Sequence, residues 1–193
     1  MRVGSSMRLF VALDFPDAVR DLIRDLMAKL KPLCKHARWV RPEGMHVTLK
    51  FIGHVPDDKF EPIVRALGNI HLNAPVEMSF RGLGFFPSER RPRVCWCGIE
   101  ASPNLAKLAK SIEQALVPLE IEAESREYVP HLTLARFDSP RRTEKLVAAA
   151  AELKSLDFGS ARETEFHLFQ SVLKRSGAEY SKLKRFPFVK GSV

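Results

Sequence analysis

Apolar and polar positions along the chain follow two periods, one typical of strands and the other of helices. The apolar run 7–15 predicts a buried strand. Pro16 and Asp17 then open a segment with apolar residues at helical spacing, and both residue types favour the first turn of a helix. Residues 45–53 alternate with a period of two, which predicts a half-buried strand. The remainder of the first half predicts a helix at 57–68 and strands at 37–40, 76–86 and 93–100.

The second half of the chain repeats this order of elements. The pattern predicts helices at 104–119 and 142–156 and an alternating strand at 131–137. Two final strands, at 164–174 and 179–188, are joined by a turn at Ser176-Gly177. No low-complexity segment or long linker separates the halves. We therefore predict one α+β domain over residues 7–193, built as a duplicated unit, with residues 1–6 a tag remnant or a flexible N-terminus.

One four-residue pattern occurs twice on the predicted strands. His46-Val47-Thr48-Leu49 lies in the strand at 45–53, and His131-Leu132-Thr133-Leu134 lies in the strand at 131–137. The chain has six His and only four Thr, so random placement gives an expected number of His-x-Thr matches of roughly 0.12. Two matches in the same apolar frame indicate an internal duplication and not a coincidence.

Alternation places the His and the Thr of each motif on one face of their strand, about 7 Å apart. In the first strand Lys50 is expected on that same face, and Phe51 on the opposite face with the core residues. The motif face is expected to line a cleft, because a buried polar group without a partner is costly. Two motif strands packed about a pseudo-two-fold axis would bring two His and two Thr to one site.

Two imidazoles and two hydroxyls around one point suit acid–base chemistry on an anion. An ordinary pKa of about 6.5 lets one imidazole be neutral and the other protonated at neutral pH. Threonine hydroxyls can donate to the oxygens of a phosphodiester, which gains charge in the transition state. Arg136 follows His131 by five positions and needs a bulge or a strand-end twist to reach the same face. The motif histidines lack the carboxylate or cysteine neighbours of a zinc or two-metal site, so no metal is predicted.

Composition and charge narrow the choice of partner and compartment. The 193-residue chain has a net charge of +8 and a pI near 9.6, which favours an anionic partner over a merely soluble basic protein. No apolar run reaches about 18 residues, so no membrane span is predicted, and the N-terminus lacks the apolar stretch of a signal peptide. Three widely spread cysteines indicate free thiols in a reducing environment, which predicts a cytoplasmic location.

The chain resembles the two-histidine (2H) phosphoesterases, and among them the RNA 2′,3′-cyclic phosphodiesterases, also described as LigT-type 2′-5′ RNA ligases. The resemblance rests on the two HxTx motifs and on segments such as RLFVALDFP, WVRPEGMHVTLKFIG, GFFPSERRPRVCWCGIE, VPHLTLARF and FHLFQSVLKRSGAEYSKLKRFPF, which together cover nearly the whole chain from Met7. It implies a duplicated bilobal α+β fold in which two antiparallel sheets line a V-shaped cleft and the helices lie outside.

The resemblance also implies an activity and a set of residue roles. The activity is hydrolysis of a 2′,3′-cyclic phosphate, on an RNA 3′ end or a nucleoside, to a 2′-phosphate without metal or cofactor. By motif position, His46 donates a proton to the leaving 3′ oxygen and His131 activates water. Thr48, Thr133 and Arg136 hold the phosphate oxygens. The residues alone do not distinguish the acid from the base, because the two motifs are nearly identical.

Several alternatives stay open at this stage. The same site run in reverse would perform 2′-5′ RNA ligation, whereas a module that only binds RNA ends would not need both histidines. We expect a monomer, and we interpret His54 and His71 as surface-loop residues. Stacking on a base is open among the aromatic residues Trp39, Phe51, Phe85 and Tyr128. Two basic clusters could follow an RNA backbone, with a solvated basic face as the equal alternative: Arg90, Arg91 and Arg93, and Lys182, Lys184 and Arg185.

Overall fold

The computed structural model describes residues 6–174 and 177–188 of the chain. Over these residues it contains nine strands and four α-helices, with short 3₁₀ turns between them. In chain order the elements are β1 (Ser6–Leu13), α1 (Asp17–Leu30), β2 (Arg38–Trp39), β3 (Val47–Pro56), α2 (Phe60–Gly68), β4 (Val76–Phe86), β5 (Val94–Ala101), α3 (Pro103–Leu116), β6 (His131–Arg136), α4 (Glu144–Glu152), β7 (Asp157–Glu163), β8 (Glu165–Lys174) and β9 (Gly177–Pro187).

The strands form two antiparallel sheets that exchange strands between the halves of the chain. The first sheet has the order β3-β1-β8-β9 and the second has the order β2-β6-β5-β4-β7. Strand β5 comes from the first half but pairs with β6 of the second half, and β8 comes from the second half but pairs with β1. Each sheet therefore contains strands from both halves of the chain, and we infer that the two lobes form one folding unit.

The helices cover the faces of the sheets that turn away from the motif residues. Helix α3 contacts β3 of the first sheet and β4 of the second, while α1 packs on β7 and α4 on β4. Periodic apolar residues explain the packing of α1, where Val19, Ile23 and Met27 are buried at helical spacing. The main core joins these helix residues to the inward side chains of both sheets.

The structure confirms the α+β class and the predicted strands and helices, with shifts at their ends, but the sequence prediction lacks one strand. Strand β7 pairs with β4 at the edge of the second sheet. Its sequence DFGSARE is short of β-branched and aromatic residues, and Gly159 has a φ of +97°, so it carries little strand signal. The predicted helix at 142–156 is correspondingly shorter. Residues 1–5 and Ser176 lie outside the described residues, and Ser6 is the first residue of β1.

A bulge in β3 overturns two predictions about side-chain direction. Thr48 pairs with Ala12 and Lys50 with Val11, which leaves Leu49 as an extra residue on β3. Alternation therefore reverses after Thr48. Lys50 points away from the motif face and is buried, with Nζ 2.7 Å from the Glu113 carboxylate. The prediction that Phe51 lies on the core face is also wrong, because its side chain stays on the motif face and is 57% exposed.

Candidate active site

His46 lies immediately before β3 and His131 is the first residue of β6, and both are oriented by the same kind of backbone contact. Nδ1 of His46 lies 2.8 Å from the carbonyl oxygen of Gly44, and Nδ1 of His131 lies 2.8 Å from that of Val129. A carbonyl can only accept, so Nδ1 carries the hydrogen in both rings. Nε2 of each neutral ring is therefore the free basic position, which is the arrangement that a general base or acid requires.

A bulge in β6, at the position equivalent to Leu49 in β3, places Arg136 on the motif face. Thr133 pairs with Trp96 and Ala135 pairs with Cys95, so Leu134 is the extra residue. The side chain of Arg136 thereby joins the face of His131, as the sequence prediction required. Phe51 has the same place relative to the first motif, five residues after its histidine. We call the faces that carry the motif residues the cleft faces of the two sheets.

The two cleft faces meet beside the motif strands. Strand β3 contacts β6, and Tyr128, just before β6, donates from its hydroxyl to the carbonyl oxygen of Thr48 at 3.1 Å. The Arg136 guanidinium lies close enough to both imidazoles to lower the pKa of each. The side-chain hydroxyls of Thr48 and Thr133 have no hydrogen-bond partner among residues 6–174 and 177–188, so both are available to a ligand.

Aromatic rings surround His46. Phe10 lies 4.5 Å from the imidazole between ring centroids, Tyr180 lies 5.0 Å away in an edge arrangement, and Phe169 lies 5.8 Å away. Burial against these rings lowers the pKa of His46 from its ordinary value to about 4. The hydrogen bond to Gly44 opposes that shift only in part. Without a bound anion, His46 is therefore neutral at pH 7.

An arginine on α1 holds the turn that orients His46. Nη1 of Arg20 donates to the carbonyl oxygens of Pro42 at 2.8 Å and Met45 at 3.1 Å, which flank Gly44. Nη2 of Arg20 pairs with Asp14 at 2.8 Å, and the arginine side chain is only 14% exposed. A Cβ on Gly44 would lie 3.0 Å from the Tyr180 ring, so a side chain at this position would require that ring to shift. The sequence prediction missed Arg20, because its contact with the turn depends on tertiary structure.

His131 has fewer neighbours and a more open setting. The Phe86 ring lies 4.9 Å away in an edge arrangement and in turn packs on Trp96. Burial lowers the pKa of His131, and the Arg136 guanidinium lowers it further. Val129, whose carbonyl orients the ring, is 45% exposed on the loop before β6. The pKa values of both histidines are thus lowered, although the surroundings of the two rings differ.

The other candidate residues divide between the cleft and the rest of the molecule. Phe85 is buried in the core, and the Trp39 indole donates to the carbonyl oxygen of Cys34. Of the predicted aromatic candidates, Phe51 is the one with an exposed ring on a cleft face. His54 lies in β3 and not in a loop, which corrects the prediction for that residue, whereas His71 lies in an exposed loop.

The predicted basic clusters are partly neutralised. Lys182 pairs with Asp14 at 2.5 Å, and Arg185 pairs with Glu165 at 3.0 Å. Arg93 donates to the carbonyl oxygen of Asp138, whereas three other members are exposed and have no ion pair among the described residues: Arg90, Arg91 and Lys184. Whether these residues contact RNA stays a prediction. No group of three or more His, Cys, Asp or Glu in the described ranges is placed to hold a metal ion.

Comparison with known proteins identifies the family. The family model described as LigT like Phosphoesterase matches residues 13–96 and 99–180. The chain belongs to the LigT-like phosphoesterase family. A relative from Methanothermobacter thermautotrophicus named RNA 2′,3′-cyclic phosphodiesterase is 34% identical over 181 residues, which cover 93% of this chain and 98% of the relative. A protein of the same name from Archaeoglobus fulgidus is 32% identical over 180 residues, covering 93% and 99%.

Solved structures show the same LigT-like fold. Escherichia coli LigT complexed with 3′-AMP matches with a TM-score of 0.79 at 27% identity, covering 96% of this chain and all of that one. A Thermus thermophilus protein matches with a TM-score of 0.77 at 30% identity, covering 94% and 98%. The predicted family is thereby confirmed. Over the described ranges, no helix has the length and apolar character needed to cross a membrane.

Proposed function

We propose that this LigT-like phosphoesterase hydrolyses terminal 2′,3′-cyclic phosphates on RNA 3′ ends and on nucleosides, leaving a 2′-phosphate. The observation that carries the proposal is the matched pair of histidines. Both have Nδ1 tied to a backbone carbonyl and Nε2 left free, and one arginine lies near both rings. The names of the relatives from M. thermautotrophicus and A. fulgidus support the substrate, as does the 3′-AMP complex of E. coli LigT.

In the proposed reaction one Nε2 atom takes a proton from the attacking water, and the other gives a proton to the leaving 3′ oxygen. Nε2 of neutral His131 takes a proton from water as the water oxygen bonds to phosphorus. Protonated His46 gives its Nε2 proton to the 3′ oxygen as the phosphorus–3′ oxygen bond breaks. The product has a free 3′-hydroxyl and a 2′-phosphate. The assignment of acid and base follows the resemblance to the 2H phosphoesterases.

The remaining site residues stabilise charge on the phosphate. We propose that the free hydroxyls of Thr48 and Thr133 donate to the two non-bridging oxygens, one from each sheet. Arg136 adds a charged donor, which is stronger than a neutral one and favours the transition state, where the oxygens carry more charge. The anion also raises the pKa of the histidine nearest to it, which opposes the effect of burial on His46.

The proposal also covers the cofactor requirement, the oligomeric state and the location of the enzyme. We propose that neither a metal nor a cofactor takes part, because the two imidazoles supply both proton transfers. We also propose that the chain acts as a monomer in the cytoplasm, and the three free, buried cysteines are compatible with that compartment. A ligase role would use the same base on a 5′-hydroxyl in place of water, so product analysis distinguishes it from hydrolysis.

The test is incubation of an RNA ending in a 2′,3′-cyclic phosphate with excess EDTA, followed by identification of the products. We expect the 2′-phosphate to form at the same rate as in the absence of EDTA. The variants His46→Ala and His131→Ala should each lose about 10²- to 10⁴-fold in kcat. His71→Ala, which removes an exposed loop histidine, is the matched control and should keep full activity. Loss of activity in EDTA that a divalent metal restores, or a histidine variant that keeps its rate, would contradict the proposal.

A further inference from the structure

We propose that the cleft face of the second sheet holds a binding site for an acceptor nucleoside, whose 5′-hydroxyl replaces water as the attacking group. The site is lined by Phe86 and Trp96, which we call the aromatic wall. The inference rests on the proposed function, because it requires the cyclic phosphate to lie between the two motif histidines, with His131 on the side of the attacking group.

Strand pairing places the aromatic wall beside the second motif. Thr133 of β6 pairs with Trp96 of β5, so both side chains lie in one row on the cleft face. The Phe86 ring of β4 contacts the imidazole of His131 in an edge arrangement, with 4.9 Å between the ring centroids. The Phe86 and Trp96 rings lie 5.1 Å apart at an angle of 38°. The wall therefore begins at the imidazole of His131 and extends over β5 and β4, the two strands next to β6 in the sheet.

Two glycines shape the surface under the Trp96 indole. Gly84 is the pairing partner of Trp96 on β4, and a Cβ there would lie 2.3 Å from two atoms of the six-membered ring. A Cβ on Gly98 would lie 3.5 Å from the same ring. The indole therefore extends over the backbone of β4, in space that a side chain at position 84 would fill. Glycine inside a strand weakens it and often marks such a close approach, so the position of the indole is a built feature of the sheet.

Core packing does not account for a tryptophan at this position. Phe86 and Trp96 are both partly exposed, whereas the neighbours of Trp96 on β5, Cys95 and Cys97, are buried on the opposite face. Nε1 of Trp96 is buried and has no hydrogen-bond partner in the part of the chain that the structure describes. A buried donor without a partner is costly, and a leucine or phenylalanine would avoid that cost. What tryptophan adds here is a broad aromatic surface next to the candidate active site.

The proposed reaction puts the aromatic wall on the side of the attacking group. In a displacement at phosphorus the attacking and leaving oxygens lie roughly in line, on opposite sides. The leaving 3′ oxygen belongs to the ribose of the substrate and lies toward His46. The attacking oxygen, and any group attached to it, therefore lies toward His131. Water gains nothing from an aromatic surface, whereas a nucleoside gains affinity because its base stacks on phenylalanine and tryptophan rings.

Transfer to the nucleoside would use the same two imidazoles as hydrolysis. Nε2 of His131 takes the proton of the 5′-hydroxyl as that oxygen bonds to phosphorus, and the bond from phosphorus to the 3′ oxygen breaks. Nε2 of His46 gives its proton to the 3′ oxygen, which leaves a 3′-hydroxyl and a 2′-5′ phosphodiester. Hydrolysis and transfer then differ only in the attacking group, and occupancy of the aromatic wall decides between them.

The experiment measures how the enzyme divides a nucleoside 2′,3′-cyclic phosphate between water and an added acceptor. The acceptors are adenosine and methyl β-D-ribofuranoside, which has the same 5′-hydroxyl but no base. Separation of the products gives the ratio of 2′-5′ diester to 2′-phosphate. We expect this ratio to be about tenfold higher with adenosine than with the riboside at equal concentration, because stacking of one base contributes a factor of that order.

Variants of the aromatic wall should remove that preference. Trp96→Leu and Phe86→Leu keep an apolar side chain but remove a ring. Each should lower the adenosine ratio about tenfold and change the riboside ratio by less than about twofold. Trp39→Leu is the matched control, because it removes the other tryptophan of the chain, which packs against the core, and it should leave both ratios unchanged. Both products form at one site, so their ratio does not depend on the fraction of folded enzyme.

Two kinds of result would overturn the proposal. The first is a wild type without preference for adenosine, or wall variants that keep the preference. The second is a raised KM for the cyclic phosphate in Trp96→Leu with an unchanged adenosine ratio, which would place the substrate's own base on the wall. Both differ from failure of the proposed function, in which the wild type would not consume the cyclic phosphate.

Discussion

The two halves of the cleft share a motif, a backbone contact and a bulge, but they differ in what surrounds each histidine. His46 is enclosed by three aromatic rings and sits on a turn that Arg20 braces through two carbonyl groups. His131 contacts Phe86, and its orienting carbonyl belongs to an exposed loop. Five residues after each histidine the halves differ again, with Phe51 in one and Arg136 in the other.

The two halves agree in what the proposed reaction would use twice and differ in what it would use once. A proton donor and a proton acceptor both need a free Nε2, so the contact that fixes Nδ1 is retained in both halves. A substrate has one phosphate and one terminal nucleoside, so charge and aromatic surface are divided between the halves. Two initially equivalent imidazoles can then have different affinities for a proton, as an acid and a base at one site require.

The largest effect expected from this difference is a selective rescue. On a p-nitrophenyl phosphodiester of a nucleoside the leaving group needs no proton, so His46→Ala should recover to within about tenfold of the wild-type rate, although it loses about 10²- to 10⁴-fold on the cyclic phosphate. His131→Ala should stay inactive on both substrates, because the attacking water still needs a base. Release of p-nitrophenolate measures the first rate and product separation the second. Rescue of His131→Ala alone would show that the roles are reversed.

A smaller effect is expected from the brace that only the first half has. Arg20→Lys keeps the charge, but a lysine ammonium does not reproduce the planar fork that reaches both Pro42 and Met45. We expect kcat to fall about tenfold with KM changed by less than about threefold, because the arginine acts by positioning His46 and does not touch substrate. Arg24→Lys, on the exposed side of the same helix, is the control.

The positioning role predicts one further result. In Arg20→Lys the loss should be nearly absent on the p-nitrophenyl substrate, since that reaction does not use the proton of His46. An equal loss on both substrates would assign Arg20 a general structural role. It would contradict the proposal that Arg20 acts by positioning His46.

Sequence periodicity predicted most of the fold and the pair of motifs, because strands and helices with one buried face have a strong pattern. It failed after Thr48, where the bulge at Leu49 reversed the expected faces of Lys50 and Phe51. A bulge is set by strand pairing with a distant segment, here β1, and local alternation does not report it. A bulge in β6 likewise brought Arg136 to the cleft face. The sequence prediction for Arg136 had required such a bulge or a strand-end twist.

The surroundings of the histidines were less predictable than the histidines themselves. Phe10 lies in a continuous apolar run, and its cleft-facing side is defined only by its pairing with β3 and β8. Arg20 resembles any charged residue on an amphipathic helix until the turn at Pro42 packs beside it. Residues that act through another residue have no motif of their own, so the difference between the half-sites is visible only in the folded chain.

The smallest effect, and the one that reports the two environments most directly, is the displacement between two pH profiles. In the free enzyme both histidines have lowered pKa values, that of His46 being about 4. The proposed reaction requires one protonated and one neutral imidazole, so the free-enzyme form that would react loses its proton below pH 6.5. The profile of kcat/KM, which reports the free enzyme, should therefore be a bell with its alkaline limb on the acid side of 6.5.

A bound phosphate shifts the pKa of a nearby imidazole in the direction opposite to the shift that the Arg136 guanidinium causes. The anion favours the protonated imidazole and raises its pKa, so the alkaline limb of kcat should lie at higher pH than that of kcat/KM, by about one unit. Tyr180→Ala removes one of the rings that bury His46, and admitting water there should raise the pKa of His46 from about 4, so the acid limb of kcat/KM should move upward while its alkaline limb moves less. NMR titration of the two imidazoles with and without inorganic phosphate assigns the limbs, which otherwise belong to the coupled pair. Coincident profiles, or an acid limb of kcat/KM unaffected by Tyr180→Ala, would mean that the aromatic enclosure of His46 does not control its protonation.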